Sequence, residues 1–362
     1  MRVLLLPFSW LYGLCVGFRN KLFDWKILSC KSFDVPVISV GNITVGGTGK
    51  TPHTEYLIRL LSANRKVAVL SRGYKRKTTG FVLADSRSNS ETLGDEPYQM
   101  YRKFPNIQIA VDEKRENGIS RLLAETIDKR PEVILLDDAF QHRHVKPSLS
   151  ILLINYNKLI FEDRLLPAGN LREPSKNKSR ADMILITKCP ERLNDDECRS
   201  IIERLQPNLH QSVYFTFFRY GKLIPVFDGY GLQEKTLAEV KNNKTAVLML
   251  VGIASPHELI DELQQYAERL ELSLYPDHHR FSEKDLRKVF RTFDAMPENA
   301  KLIITTEKDA MRLNDSHNLN PELKKALYYL PVDVGFKSQK ESLFKQKIEE
   351  HVRNFERNRI LA

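Results

Sequence analysis

Gly41-Asn42-Ile43-Thr44-Val45-Gly46-Gly47-Thr48-Gly49-Lys50-Thr51 decides how this chain is read. An apolar, β-branched run at 35–40 precedes it and a helical pattern at 55–61 follows. Strand, glycine-rich loop and helix in that order are the context of a phosphate-binding loop. Glycines let the backbone bend so that several N–H groups face one anion, and the helix N-terminus adds a favourable dipole. Gly46, Gly47, Thr48, Gly49, Lys50 and Thr51 are therefore the expected nucleotide cradle. In such a loop the lysine contacts the β- and γ-phosphates of ATP and the following hydroxyl reaches Mg²⁺. Pro52 falls in the first helical turn, where its missing N–H costs little. Thr44 stands where the usual G-x-x-x-x-G-K-[ST] pattern has glycine, so Gly46 and Gly47 are expected to supply the turn.

Working outward, the apolar run at 133–136 ends in Asp137-Asp138. A carboxylate at a strand end beside a phosphate loop is where Mg²⁺ is held, directly or through water. Further apolar runs at 67–70, 107–111, 150–154 and 183–187 read as parallel strands covered on both faces. Helical patterns between them, at 55–61 and 118–127, complete the signature of a doubly wound α/β sheet. Near residue 210 the composition changes. Segments 212–219 and 223–227 flank Tyr220-Gly221-Lys222, which reads as a β-hairpin able to join two domains. Beyond it, strands are expected at 246–251, 302–305 and 328–334, helices at 256–270 and 282–293, and a charged, exposed helix at 340–357.

The chain has 362 residues, enough for two domains each with its own core. Its net charge of +10 suits an anionic partner: nucleic acid, a membrane surface or a phosphorylated substrate. Basic loops lack interleaved stacking aromatics, which argues against nucleic acid. Cys15, Cys30, Cys189 and Cys198 fit no zinc spacing and read as reduced thiols of a cytosolic protein. Residues 3–18 carry no charge, yet as a helix would span about 24 Å, short of about 30 Å of hydrocarbon. No signal-type cleavage site follows. Ser9, Gly13, Gly17 and Asn20 form a small or polar stripe, and Phe8, Leu11, Tyr12, Cys15 and Phe18 a bulky one. With Arg19, Lys21, Lys26 and Lys31 next, the pattern suits a helix lying in a membrane interface. A buried helix and a short spanning anchor are the competing placements.

A nucleotide site alone is not a function. A GTPase would carry N-K-x-D on a late strand, where Thr187-Lys188-Cys189-Pro190 lacks the aspartate. A membrane-switch ATPase of the partitioning kind would carry lysine where Val45 stands. A small-molecule kinase needs a base for the attacking hydroxyl. Gly94-Asp95-Glu96-Pro97 and Pro276-Asp277-His278-His279 supply candidates.

Further motifs follow in order: Leu70-Ser71-Arg72-Gly73-Tyr74, Asp137-Asp138-Ala139-Phe140-Gln141-His142, Leu165 through Pro174, and Thr306-Glu307-Lys308-Asp309-Ala310. Together with the phosphate loop, they resemble the tetraacyldisaccharide 4′-kinase (lipid A 4′-kinase) family along most of the chain. The resemblance implies a P-loop NTPase-like, doubly wound, mostly parallel sheet with a second, smaller α/β domain joined by a two-stranded linker. The expected segments are an interface helix (1–30), the P-loop kinase domain (31–211), the hairpin linker (212–228), the smaller domain (229–335) and a C-terminal helix (336–362). It implies transfer of the γ-phosphate of ATP, with Mg²⁺, to the 4′-hydroxyl of tetraacyldisaccharide 1-phosphate to give lipid IVA. The alternative in another class is a membrane-surface P-loop NTPase switch with no small-molecule acceptor. The implied partners are the lipid A disaccharide precursor and the inner-membrane surface, at its cytoplasmic face, with a monomer expected and no nucleic acid. By the same resemblance, Asp95 is the base, and His278 (or its neighbour His279) is its partner from the second domain, which requires the domains to close. Lys50 and Asp138 join them as catalytic residues. Thr51, Asp137 and Asp138 hold metal, and Gln141 and His142 lie near the phosphates. Arg72, Tyr74, Arg115, Arg172 and Glu173 meet the acceptor. The family resembled usually has glycine where this chain has Ala139.

Overall fold

A computed structural model describes residues 2–297, 300–314 and 319–361. The chain divides into two compact units. One is Met1–Phe218 with Val334–Ala362, and the other is Arg219–Asp333. In chain order the strands are β1 (Val37–Gly41), β2 (Val67–Ser71), β3 (Val82–Leu83), β4 (Gln108–Val111), β5 (Val133–Asp137), β6 (Leu149–Asn155) and β7 (Met183–Thr187). There follow β8 (Ser212–Tyr220), β9 (Ile224–Pro225), β10 (Ala246–Val251), β11 (Leu270–Leu274), β12 (Lys301–Thr306), β13 (Leu327–Leu330) and β14 (Val332–Phe336).

The first unit is built on a sheet of order β14-β8-β7-β6-β1-β5-β2-β4-β3. Its central pairings are parallel, and short β3 runs antiparallel on β4 at the edge. Strands β1, β2, β5, β6 and β7 are buried at every residue, which explains their uninterrupted apolar sequences. Val133, Ile134, Leu135 and Leu136 of β5 are essentially inaccessible. Each such side chain contributes about 1.5–3 kcal/mol by leaving water. The chain leaves β1 toward β2, returns to fill the β5 position, then crosses to β6 on the other side of β1. That reversal opens a crevice at the carboxyl ends of β1, β5 and β6, the usual ligand position in such sheets.

The second unit has its own sheet, of order β11-β10-β12-β13-β9, parallel except for β9 on β13. Its interior is separate, with Leu248, Leu250, Val289, Ile303 and Leu327 on one face and Val247, Met249, Ile304 and Tyr328 on the other.

Three expectations are corrected. The hairpin across 212–228 does not form: β8 lies between β7 and β14 in the large sheet, and β9 belongs to the small one. The run at 328–334 is two strands in two sheets, parted at Pro331, whose carbonyl accepts the Gly221 N–H at 3.0 Å. Proline has no N–H for a ladder, so a continuous strand through it was disfavoured. The C-terminal helix, Glu341–Leu361, is not simply exposed: Phe344, Ile348 and Val352 are buried at four-residue spacing. Phe344 packs against Tyr56, Tyr214 and Phe336, so this helix closes one face of the first unit.

Candidate active site

The phosphate loop leaves β1 at Gly41 and enters the helix Lys50–Ser62. A Cβ on Gly41 would stand 2.7 Å from the Phe140 backbone nitrogen, so only glycine lets the loop pass the turn after β5 this closely. Gly49 caps the helix at φ 80°, a left-handed conformation that glycine takes without strain. Thr44, the departure from the usual motif, is buried and forms an antiparallel bridge with Leu171, a role that needs no glycine. Side chains from several strand ends pin the loop. Asn42 donates to Thr48 Oγ1 at 2.8 Å, Thr187 Oγ1 to the Thr48 carbonyl at 2.9 Å, and Asn155 to the Gly47 carbonyl at 3.4 Å. His53, one turn into the helix, is fully buried between the Gly49 carbonyl (2.7 Å) and Thr216 Oγ1 (3.0 Å). Burial lowers its pKa to about 4, so the ring is neutral. It then donates from Nδ1 to Gly49 and accepts from Thr216.

At the end of β5, Asp137 is buried and accepts from Ser71 Oγ at 3.1 Å and Thr54 Oγ1 at 3.4 Å. Burial raises its pKa to about 6, with Asp138 adding to the rise and Lys50 opposing it. Asp138 turns the chain at φ 48°, a conformation aspartate tolerates. This residue makes the left-handed turn, so Ala139 after it needs no glycine-like conformation. Asp138 Oδ1 lies 3.6 Å from Lys50 Nζ and Oδ2 lies 3.5 Å from Arg172 Nη1. Burial works against its charge, yet Lys50 and Arg172 leave its pKa below the ordinary carboxylate value. Among the described residues, the buried Asp138 Oδ1 has no hydrogen-bond partner. An orphaned carboxylate oxygen beside a second carboxylate of raised pKa, both next to a phosphate loop, fits a divalent cation.

The expected acceptor residues are distributed unevenly. Asp95 opens the helix Asp95–Lys103 and is half-buried there. Preceding Gly94 is at φ 91°, and a Cβ there would come within 3.0 Å of the Tyr74 carbonyl. The loop of Arg72 and Tyr74 thus lies against the start of the Asp95 helix. Both of these side chains are exposed. Gln141 donates to the Asn42 carbonyl at 2.6 Å. Burial, with Arg115 and Arg72, lowers His142 to about 4. Arg115, expected at the acceptor, is buried, donating to the carbonyls of Asp112 (2.5 Å) and Asp137 (3.3 Å). It supports the strand end from within. Glu173 also faces inward, accepting from Arg180 and Asn177 at 2.6 Å.

In the second unit, His278 is at φ 62°, with Nε2 3.3 Å from Lys308 Nζ and 3.6 Å from Asp277 Oδ2, and Nδ1 3.3 Å from Arg312. His279 is held otherwise, with Nε2 3.0 Å from Asp285 and its ring stacked on Tyr275. Asn42, His53, Asn155 and Thr187 were not singled out from sequence as site residues. Two of them carried a signal: Asn42 lies within the phosphate-loop motif and Thr187 at the end of a late strand.

A family model described as tetraacyldisaccharide-1-P 4′-kinase (LpxK) matches residues 1–353. The chain belongs to this family. A tetraacyldisaccharide 4′-kinase of Parabacteroides distasonis is 51% identical over 349 residues, covering 96% of this chain and 94% of that protein. One of Phocaeicola vulgatus is 49% identical over 354 residues, covering 98% and 96%. The crystal structure of "apo" form LpxK from Aquifex aeolicus in complex with ATP is 31% identical, with a TM-score of 0.73. It covers 97% of this chain and 99% of that one. The tetraacyldisaccharide 4′-kinase fold thus extends over both units, and the motifs from Gly41 to Ala310 are spread along the length that these relatives share.

Proposed function

We propose that this protein transfers the γ-phosphate of ATP to the 4′-hydroxyl of a tetraacylated glucosamine disaccharide 1-phosphate, giving lipid IVA. The observation that carries the reading is the cluster of Lys50, Asp138 and Arg172 at the mouth of the phosphate loop. Two cations there suit the charge that develops on a transferring phosphoryl group. Gly46–Thr51 cradles the triphosphate, and Gln141 and His142 stand beside it. Neutral His142 can donate one hydrogen bond without adding a charge. Asp95 takes the proton of the attacking hydroxyl, and His278 assists it. Arg72 and Tyr74 meet the acceptor. Thr51, Asp137 and Asp138 are the residues that would hold Mg²⁺, which when bound neutralises charge on the β- and γ-phosphates.

An acceptor with four acyl chains offers its sugar only at a lipid surface. The helix Leu6–Asp24 supports docking there: Phe8, Trp10, Leu11, Leu14 and Phe18 are exposed, while Ser9 and Asn20 are buried against the unit. No described helix is long and apolar enough to cross a membrane. An exposed apolar face flanked by Arg19, Lys21 and Lys26 matches the interface between acyl chains and anionic headgroups. The cytoplasmic face of an inner membrane is where ATP would be available.

Radiolabelled ATP with the disaccharide lipid in mixed micelles tests the reading. Label should move to the lipid, and ATP consumption should rise with acceptor. ATP turnover at the same rate without acceptor, and no labelled lipid, would leave only the switch alternative.

A further inference from the structure

The N-terminal helix is joined to the candidate active site by polar contacts that membrane docking does not require. Ser9 Oγ donates to the Leu165 carbonyl and accepts from the Ala168 N–H, both at 3.0 Å. A Cβ on Gly13 would stand 2.7 Å from Leu165 Cδ1, so the helix lies close on this loop. Tyr12 OH donates to the Arg172 carbonyl at 2.9 Å, and Asn20 Nδ2 to Glu173 Oε2 at 3.3 Å.

Arg172 is thereby held from two sides. Its N–H donates to the Ile43 carbonyl of the phosphate loop at 2.7 Å, and its own carbonyl takes the Tyr12 hydroxyl. Its guanidinium lies 3.5 Å from Asp138. Residues 161–174 contain no helix or long strand, so a few backbone bonds, among them those to the phosphate loop, and side-chain ties such as that of Tyr12 fix the backbone from which Arg172 projects. Sequence pattern placed Tyr12 on the bulky stripe, and its hydroxyl reaches the protein.

Resting on the kinase reading, we propose that Tyr12 is a positioning residue: its hydroxyl on the Arg172 carbonyl aims the Arg172 guanidinium at Asp138. Tyr12→Phe removes only that hydroxyl and keeps the ring's packing. With the full-length protein in mixed micelles, kcat for lipid labelling should fall about tenfold, as small misplacements of a charged group do. KM for ATP, recovery on phosphatidylethanolamine–phosphatidylglycerol vesicles and thermal midpoint should stay at wild-type values. In an Arg172→Ala background the same substitution should cost nothing more, because its effect passes through Arg172. Wild-type kcat in Tyr12→Phe, an undiminished loss in the Arg172→Ala background, or a loss tracking vesicle recovery or thermal midpoint would each overturn the inference. A wild-type protein that labels no lipid would fail the kinase reading instead. ATP hydrolysis by the same set of proteins would then still decide the role of Tyr12.

Discussion

Lys50 and Asp138 are 3.6 Å apart, at 19% and 32% side-chain exposure. In this partly dry setting their attraction is worth more than a surface pair, which contributes about 0–1 kcal/mol. The pairing also holds the ammonium at the mouth of the loop. Lys50→Ala is expected to lower kcat for lipid labelling by about 10²–10³-fold, read from single-turnover transfer at saturating ATP. His53 makes a second prediction, on stability. Its pKa is near 6.5 unfolded and about 4 folded. Between those values the unfolded chain binds the proton more tightly, so stability falls as pH drops through the window and is unaffected above it. From pH 7 to pH 5 the loss is about 2 kcal/mol. Urea midpoints of wild type and His53→Gln should therefore draw closer at pH 5 than at pH 7.

The N-terminal helix inverts the usual arrangement, with its polar stripe inward and its apolar stripe outward. Ser9 and Asn20 are buried with hydrogen-bond partners, while Trp10 is 76% and Leu14 71% exposed. Exposed apolar area this continuous on one helix marks a surface that meets something apolar. Replacing Phe8 and Trp10 together by Ser should lower vesicle recovery severalfold and leave the thermal midpoint within about 1 °C, since neither side chain packs in the core. Flotation on liposomes alongside a melting curve checks both parts. Equal recovery would detach the membrane proposal from this face. The C-terminal helix is the opposite case, with three apolar residues among charges enough to seat it on Tyr56, Tyr214 and Phe336.

At the scale of the molecule, each unit has its own sheet and interior, and the chain passes between them twice, near Phe218 and near Val334. Separate cores favour separate unfolding transitions. Only the first unit carries the phosphate loop, so ATP at 100 times its Kd should stabilise that transition by about 2.7 kcal/mol and leave the other in place. Calorimetry with and without nucleotide reads this directly, and Lys50→Ala should abolish most of the shift. A uniform upward shift of both transitions would mean that ATP is gripped by both units.

Local grammar alone determined the strand–loop–helix around Gly41–Thr51, the buried parallel strands and the acid pair ending β5. These rest on short-range sterics and on the continuous apolar runs of strands covered on both faces. Only tertiary structure decided which sheet each crossing strand joined: β8 and β14 enter the large sheet, β9 and β13 the small one. Likewise, a cation looks the same in sequence whether it meets ligand or holds the frame. Arg115 and Arg172 read alike as substrate residues, yet one is buried on backbone carbonyls and the other faces Asp138. The physical reason is that burial and partner identity are set by residues far apart in the chain. The Tyr12 hydroxyl meeting a carbonyl 160 positions away is a contact no local pattern encodes.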